Sequence, residues 1–145
     1  MWIFYAIAAS LCWGMSYAAC GPLLKRDVSP LVFFMGYCLF GLLGAILSLI
    51  ASGKLSSLGK LQTFDRSDLL WFLFSVSVSA LGAYLTYAAI GAKNPSLVAL
   101  IEISYPIFVV LFSWIFFREM QMTPLTLCGG FLILAGVGLV VFAEH

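Results

Sequence analysis

Asn94-Pro95-Ser-Leu-Val-Ala-Leu-Ile-Glu102-Ile-Ser-Tyr-Pro106-Ile-Phe-Val-Val-Leu-Phe-Ser-Trp114-Ile-Phe-Phe-Arg118-Glu119 decides the fold of this 145-residue chain. From Pro95 to Phe117 the stretch is apolar, interrupted by one carboxylate and one internal proline. About 20 consecutive apolar residues cross a hydrocarbon core of roughly 30 Å. Asn94 reads as a helix cap and Pro95 as the first helical residue. Glu102 then lies about 10 Å along the helix axis at 1.5 Å per residue, well below the headgroups.

A carboxylate at that depth costs several kcal/mol unless it faces protein or water, which makes Glu102 a candidate functional residue. Pro106 lacks an N–H, so the carbonyl of Glu102 loses its helical donor, and a kink is expected there. Side chain and carbonyl together form a polar spot suited to a proton, a cation or a polar ligand group. The alternative is a protonated glutamate that only hydrogen-bonds a neighbouring helix for packing.

The composition agrees with a membrane protein. Hydrophobic residues make up 63% and charged residues 9%, with mean hydropathy +1.12, against roughly 45–50% and 25% in soluble domains. A net charge of +1 gives no support for nucleic-acid binding. Cys12, Cys20, Cys38 and Cys128 fall in apolar stretches without a CxxC pair, and His145 is the single histidine. Neither a disulfide framework nor a metal site is expected, and the cysteines read as small apolar residues. No cofactor is expected. No nucleophile–base pair or phosphate-binding glycine loop suggests an enzyme, so no catalytic residue is assigned.

Outward from the central stretch, the chain divides into an all-α membrane bundle of five spans at about 2–24, 30–51, 68–92, 95–117 and 124–142, treated as one domain over residues 1–145. The first span lacks the positive flank of a signal peptide and reads as a retained helix. Within it Ala6, Ser10, Gly14 and Ala18 recur every four residues, a small-residue ridge for close helix packing. Trp13 sits near mid-span, as a packed residue or a cavity wall. Trp2, Trp71 and Trp114 suit the interfacial aromatic belt. Lys25-Arg26-Asp27 forms a turn, and Ser29-Pro30 and Thr123-Pro124 repeat the cap-then-proline opening of Asn94-Pro95. Tyr84 and Tyr87 add hydroxyls late in the third span, where packing is the simpler use for each. In the 52–67 loop, Leu55, Leu58, Leu61 and Phe64 recur every three residues among Lys54, Lys60 and Arg66. That spacing fits either a short helix on the membrane surface or a solvated linker.

Five spans put the termini on opposite sides of the membrane. Lys54, Lys60, Arg66 and Arg118 fall on one side, and Lys25, Arg26 and Lys93 on the other, so the charge bias barely orients the chain. Its slight preference puts the amino terminus and the 52–67 loop in the cytoplasm. Two such units in opposite orientations would form an inverted repeat, the arrangement in which many secondary transporters place a midplane site.

The chain resembles EamA-type members of the drug/metabolite transporter superfamily. Leu11-Cys-Trp13-Gly14 is similar to their first-helix Trp-Gly signature, and Ser29-Pro30 to the opening of their second helix. Glu102-Ile-Ser-Tyr-Pro106-Ile-Phe, then Trp114, Arg118-Glu119, Thr123-Pro124 and a glycine-rich last helix follow the order in which their repeat ends. The likeness covers nearly the whole chain. Arg118 stands where the usual glycine precedes Glu119. The related small multidrug exporters carry their essential glutamate in the first helix, which here has none.

Family members usually carry two repeats, so the resemblance implies a half-size member that needs a partner. The partner would be a second copy, in an antiparallel homodimer for instance, or a second half-size subunit. It further implies an integral protein of a prokaryotic cytoplasmic membrane that transports or exports a small metabolite or drug-like compound. Proton coupling is one expectation, with Glu102 and Pro106 at the binding site and Trp13, Tyr84, Tyr87 and Tyr105 as aromatic walls. Ser10, Gly14 and Ala18 would serve helix packing. The alternatives are a subunit of a lipid-linked sugar flippase and a membrane scaffold or accessory subunit.

Overall fold

A computed structural model describes residues 1–26, 28–118 and 123–143. Asp27 and Glu119, together with residue 144, lie outside the described residues. The elements are α1 (Trp2–Leu24), α2 (Pro30–Ala51), a 3-10 segment (Leu55–Thr63), α3 (Arg66–Ala92), α4 (Pro95–Glu102), α5 (Tyr105–Phe117) and α6 (Pro124–Ala143). No strand occurs among the described residues, and five helical stretches are long and apolar enough to cross a membrane, with Pro95–Phe117 counted as one. The chain is an all-α, five-span integral membrane protein.

Local chemistry sets the helix starts. Ser29 Oγ accepts from the Leu31 N–H at 3.3 Å, and Asn94 Oδ1 from the Leu97 N–H at 2.9 Å. Thr123 Oγ1 accepts from the Thr126 N–H at 3.3 Å. In each case proline takes the next position, where its missing N–H costs nothing. The third span begins at Arg66 rather than Asp68. Asp65 and Asp68 form a reciprocal cap: Asp65 Oδ1 accepts from the Asp68 N–H at 2.7 Å, and Asp68 Oδ2 from the Asp65 N–H at 3.4 Å. This is a capping box written with two aspartates.

Contacts divide the chain into two units, Met1–Gly21 with Lys93–His145, and Pro22–Ala92. Within the second unit, α2 packs on α3 through aromatic rings. Phe33 and Tyr37 lie 5.8 and 6.2 Å from Tyr87, and Phe34 lies 6.0 Å from Tyr84. Gly91 comes into ordinary contact range of Pro30 and Leu24. The pairing of Pro30 with Gly91 and of Phe33 with Tyr87 runs in reverse order, so α2 and α3 are antiparallel. Tyr87 and Ile90 are buried on this face, and Leu24 is buried as well.

Within the first unit, α4 packs on α6, and α6 brings Gly130 against Ile107 of α5. α1 meets α4 at two heights. Gly21 faces the Pro95 ring so closely that a Cβ added there would overlap it, and Tyr17 reaches Glu102. These contacts also run in reverse order, so α1 and α4 are antiparallel. Cys20 and Val98 are the buried apolar side chains of this unit. No apolar side chain described on α2, α5 or α6 is fully buried, and many are exposed. Such a surface is stable when lipid or another apolar helix covers it.

Candidate functional site

The central span is two helices. α4 ends at Glu102, Ile103 and Ser104 form a turn, and α5 starts at Tyr105. Pro106 explains the break, because residue 106 has no N–H to give to the Glu102 carbonyl. Hydrogen bonding tightens around the gap: the Ser104 N–H donates to the Ile101 carbonyl and the Ile107 N–H to the Ser104 carbonyl, each at 3.1 Å. Ser104 Oγ folds back onto the same Ile101 carbonyl at 2.8 Å. The acidic side chain therefore projects from the last residue of a helix, at a break in the middle of a membrane span.

Glu102 is half-buried. Its Oε2 accepts a 2.7 Å hydrogen bond from the Tyr17 hydroxyl of α1. Tyr17 is also half-buried, and its ring lies 5.6 Å from that of Trp13 at an interplanar angle of 58°. Trp13 and Tyr17 are one turn apart on the same helix face. Gly21 is the next residue on that face, and its closeness to Pro95 holds α1 where the Tyr17 hydroxyl can span to α4. The result is a carboxylate, a phenol and an indole arrayed across two antiparallel helices.

Tyr17 escaped the sequence reading. The signal was present: once Trp13 is taken as a cavity wall, the residue four positions on shares its face and carries a polar tip. A hydroxyl within an apolar span finds a hydrogen-bond partner. The other candidates fall in different places. Pro106 is half-buried at the break, and Tyr105 is 66% exposed on the surface of α5. Tyr84 and Tyr87 belong to the aromatic layer between α2 and α3. Ser10, Gly14 and Ala18 are exposed, and nothing among the described residues lies within 4 Å of a Cβ built at Gly14. Ser10 Oγ returns its hydroxyl to the Ala6 carbonyl at 3.0 Å.

Chemically, the arrangement can hold a proton or a cation. A carboxylate accepts a hydrogen bond from Tyr17, and the protonated acid can exchange roles with it, since a phenol both donates and accepts. A cationic group that displaced the Tyr17 hydroxyl would meet both the carboxylate charge and the faces of the Trp13 and Tyr17 rings. No group of three or more metal-ligating side chains occurs among the described residues.

At the far end of α5, Arg118 adopts φ 56° and ψ 25°, the left-handed conformation in which glycine is at ease. Its N–H caps the helix on the Trp114 carbonyl at 3.0 Å, and its guanidinium lies 5.1 Å from the centre of the Trp114 ring. The turn that a glycine usually makes is thus made by arginine. The backbone cost is roughly 1–2 kcal/mol, offset in part by the cation–π contact.

A family model described as the EamA-like transporter family matches residues 1–142. No curated protein and no solved structure matches the chain.

Proposed function

The chain belongs to the EamA-like transporter family, and on that premise we propose that it is a secondary transporter of a small metabolite or drug-like compound with Glu102 at its binding site. The observation that carries this reading is the 2.7 Å hydrogen bond from Tyr17 to Glu102 beside the mid-span break. Glu102 exchanges a proton or pairs with a cationic group of the substrate. Tyr17 holds the carboxylate in the unloaded state, and Trp13 supplies an aromatic wall. Broken helices with a polar group at the break are the usual construction of midplane transporter sites.

The working form is a dimer in the cytoplasmic membrane of a prokaryotic cell. Open surfaces at Gly14, Gly36, Gly41, Gly44 and Gly136 support a dimer, because they let another helix approach closely. A second reading is a subunit of a lipid-linked sugar flippase. Arg118, braced on Trp114 at a helix end, favours it, because such a cation suits a lipid phosphate. That reading expects a dedicated unlike partner to copurify.

The test is substrate-driven charge or proton movement in proteoliposomes across a panel of small amines, sugars and amino acids. The wild-type protein should respond to at least one compound in a pH-dependent manner, and Glu102→Gln should abolish the response while remaining folded. Transport by Glu102→Gln with full pH dependence would remove Glu102 from this role. A variant that fails to assemble would point to a scaffold role instead.

A further inference from the structure

The segment between α2 and α3 is a nine-residue 3-10 helix, Leu55–Thr63. Runs of this helix beyond 3–4 residues are uncommon, because side chains three apart eclipse one another and the hydrogen bonds are poorly aligned. Here the eclipse matches the sequence. With 3.0 residues per turn, Leu55, Leu58 and Leu61 stack in one line, which Phe64 continues. Lys54, Ser57, Lys60 and Thr63 stack in a second line, and Ser56, Gly59 and Gln62 in a third. One edge is wholly apolar and the rest is polar.

That apolar edge is only half covered among the described residues. Leu55 is 53%, Leu58 49% and Leu61 44% exposed. Phe64 makes an edge contact with Phe72 of α3 at 5.9 Å, which ties the line to the first turns of that span. Both flanking helices cross the bilayer and end where this segment begins and finishes, so it lies at a membrane face by construction. The three cations Lys54, Lys60 and Arg66 outnumber the two carboxylates of Asp65 and Asp68. The carboxylates are drawn to the start of α3, where they accept from backbone N–H groups, while Lys60 lies on the segment itself and Lys54 at its start.

We propose that the 3-10 segment lies along the phospholipid surface at the face where α2 and α3 end. Its Leu55–Leu58–Leu61 edge sits among the acyl-chain ends, and Lys54, Lys60 and Arg66 bind anionic headgroup phosphates. Lipid cover removes the leucine line from water and stabilises a helix type that is too long to persist in solvent. Each lysine held near an anionic surface changes the ratio of bound to lifted segment by about fivefold.

The experiment uses the full chain in vesicles of phosphatidylcholine alone and of phosphatidylcholine with phosphatidylglycerol. In a background lacking Cys12, Cys20, Cys38 and Cys128, single cysteines at positions 55, 57, 58, 60 and 61 carry an environment-sensitive fluorophore. Labels at 55, 58 and 61 should report an apolar setting and labels at 57 and 60 water. Amide hydrogen exchange of the unmodified chain should slow across 54–64 when phosphatidylglycerol is present, and Lys54→Gln with Lys60→Gln should cancel that slowing. Equal wetting of both lines of labels overturns the proposal, as does hydrogen exchange indifferent to phosphatidylglycerol.

Discussion

The Tyr17 hydroxyl donates to Glu102 Oε2 at 2.7 Å, joining the last third of α1 to the final residue of α4. This bond makes the mid-span acid part of a two-helix device rather than an isolated charge. Its strength is measurable without knowing the substrate. Interhelical polar pairs in membranes couple by about 0.6–2 kcal/mol, so Tyr17→Phe and Glu102→Ala should each destabilise the protein and fail to add. A double-mutant cycle read by unfolding in mixed micelles tests this. Strict additivity would mean that the pair is not formed.

Gly21 should tolerate no side chain. A Cβ at that position overlaps the Pro95 ring, which is stiff and cannot swing aside. Gly21→Ala is expected to cost about 1–3 kcal/mol, as overpacking does, and Pro95→Ala in the same chain should recover most of it. Thermal unfolding in detergent reads both, and a fully stable Gly21→Ala would show that α1 and α4 are further apart. Gly14→Ala should be near neutral for the single chain, because the space beside it is open.

Arg118 offers a test in the opposite direction. Arg118→Gly relieves the left-handed strain but loses the Trp114 contact, whereas Arg118→Ala keeps the strain and loses the contact. The glycine variant should therefore exceed the alanine variant in stability by about 1 kcal/mol. Trp114 emission should shift in both, because both remove the cation above the ring. Equal stability of the two variants would contradict the left-handed conformation at this position.

The five spans were legible because length and apolarity suffice to mark a membrane helix, and the three serine, asparagine or threonine caps before proline fixed three starts. α3 starts two residues before the expected Asp68, because Asp65 caps it from outside and Asp68 is the inner member of the pair. Glu102 and the break at Pro106 were legible from the missing N–H alone. Tyr17 was not, because which face of α1 meets α4 depends on Gly21 and Pro95 fitting together. The small ridge of Ser10, Gly14 and Ala18 drew attention to the α1 face that stays exposed, while the close approach is made by Gly21. Likewise the spacing of Leu55, Leu58 and Leu61 was visible, but only the 3-10 period turns that spacing into a single edge.

The most direct measurement of the central claim is the reaction of Glu102 with a hydrophobic carbodiimide in native-like membranes. The reagent adds to a protonated carboxyl group, and the adduct is located by mass spectrometry. If Glu102 is an acid in a site reached from water, wild-type protein should gain one adduct on Glu102. Tyr17→Phe, which frees the carboxyl group from its hydrogen bond, should change the rate of labelling, and Glu102→Gln should abolish it. An unreactive Glu102, or labelling at the same rate with and without the Tyr17 hydroxyl, would contradict the assignment of the Tyr17–Glu102 pair as the working site.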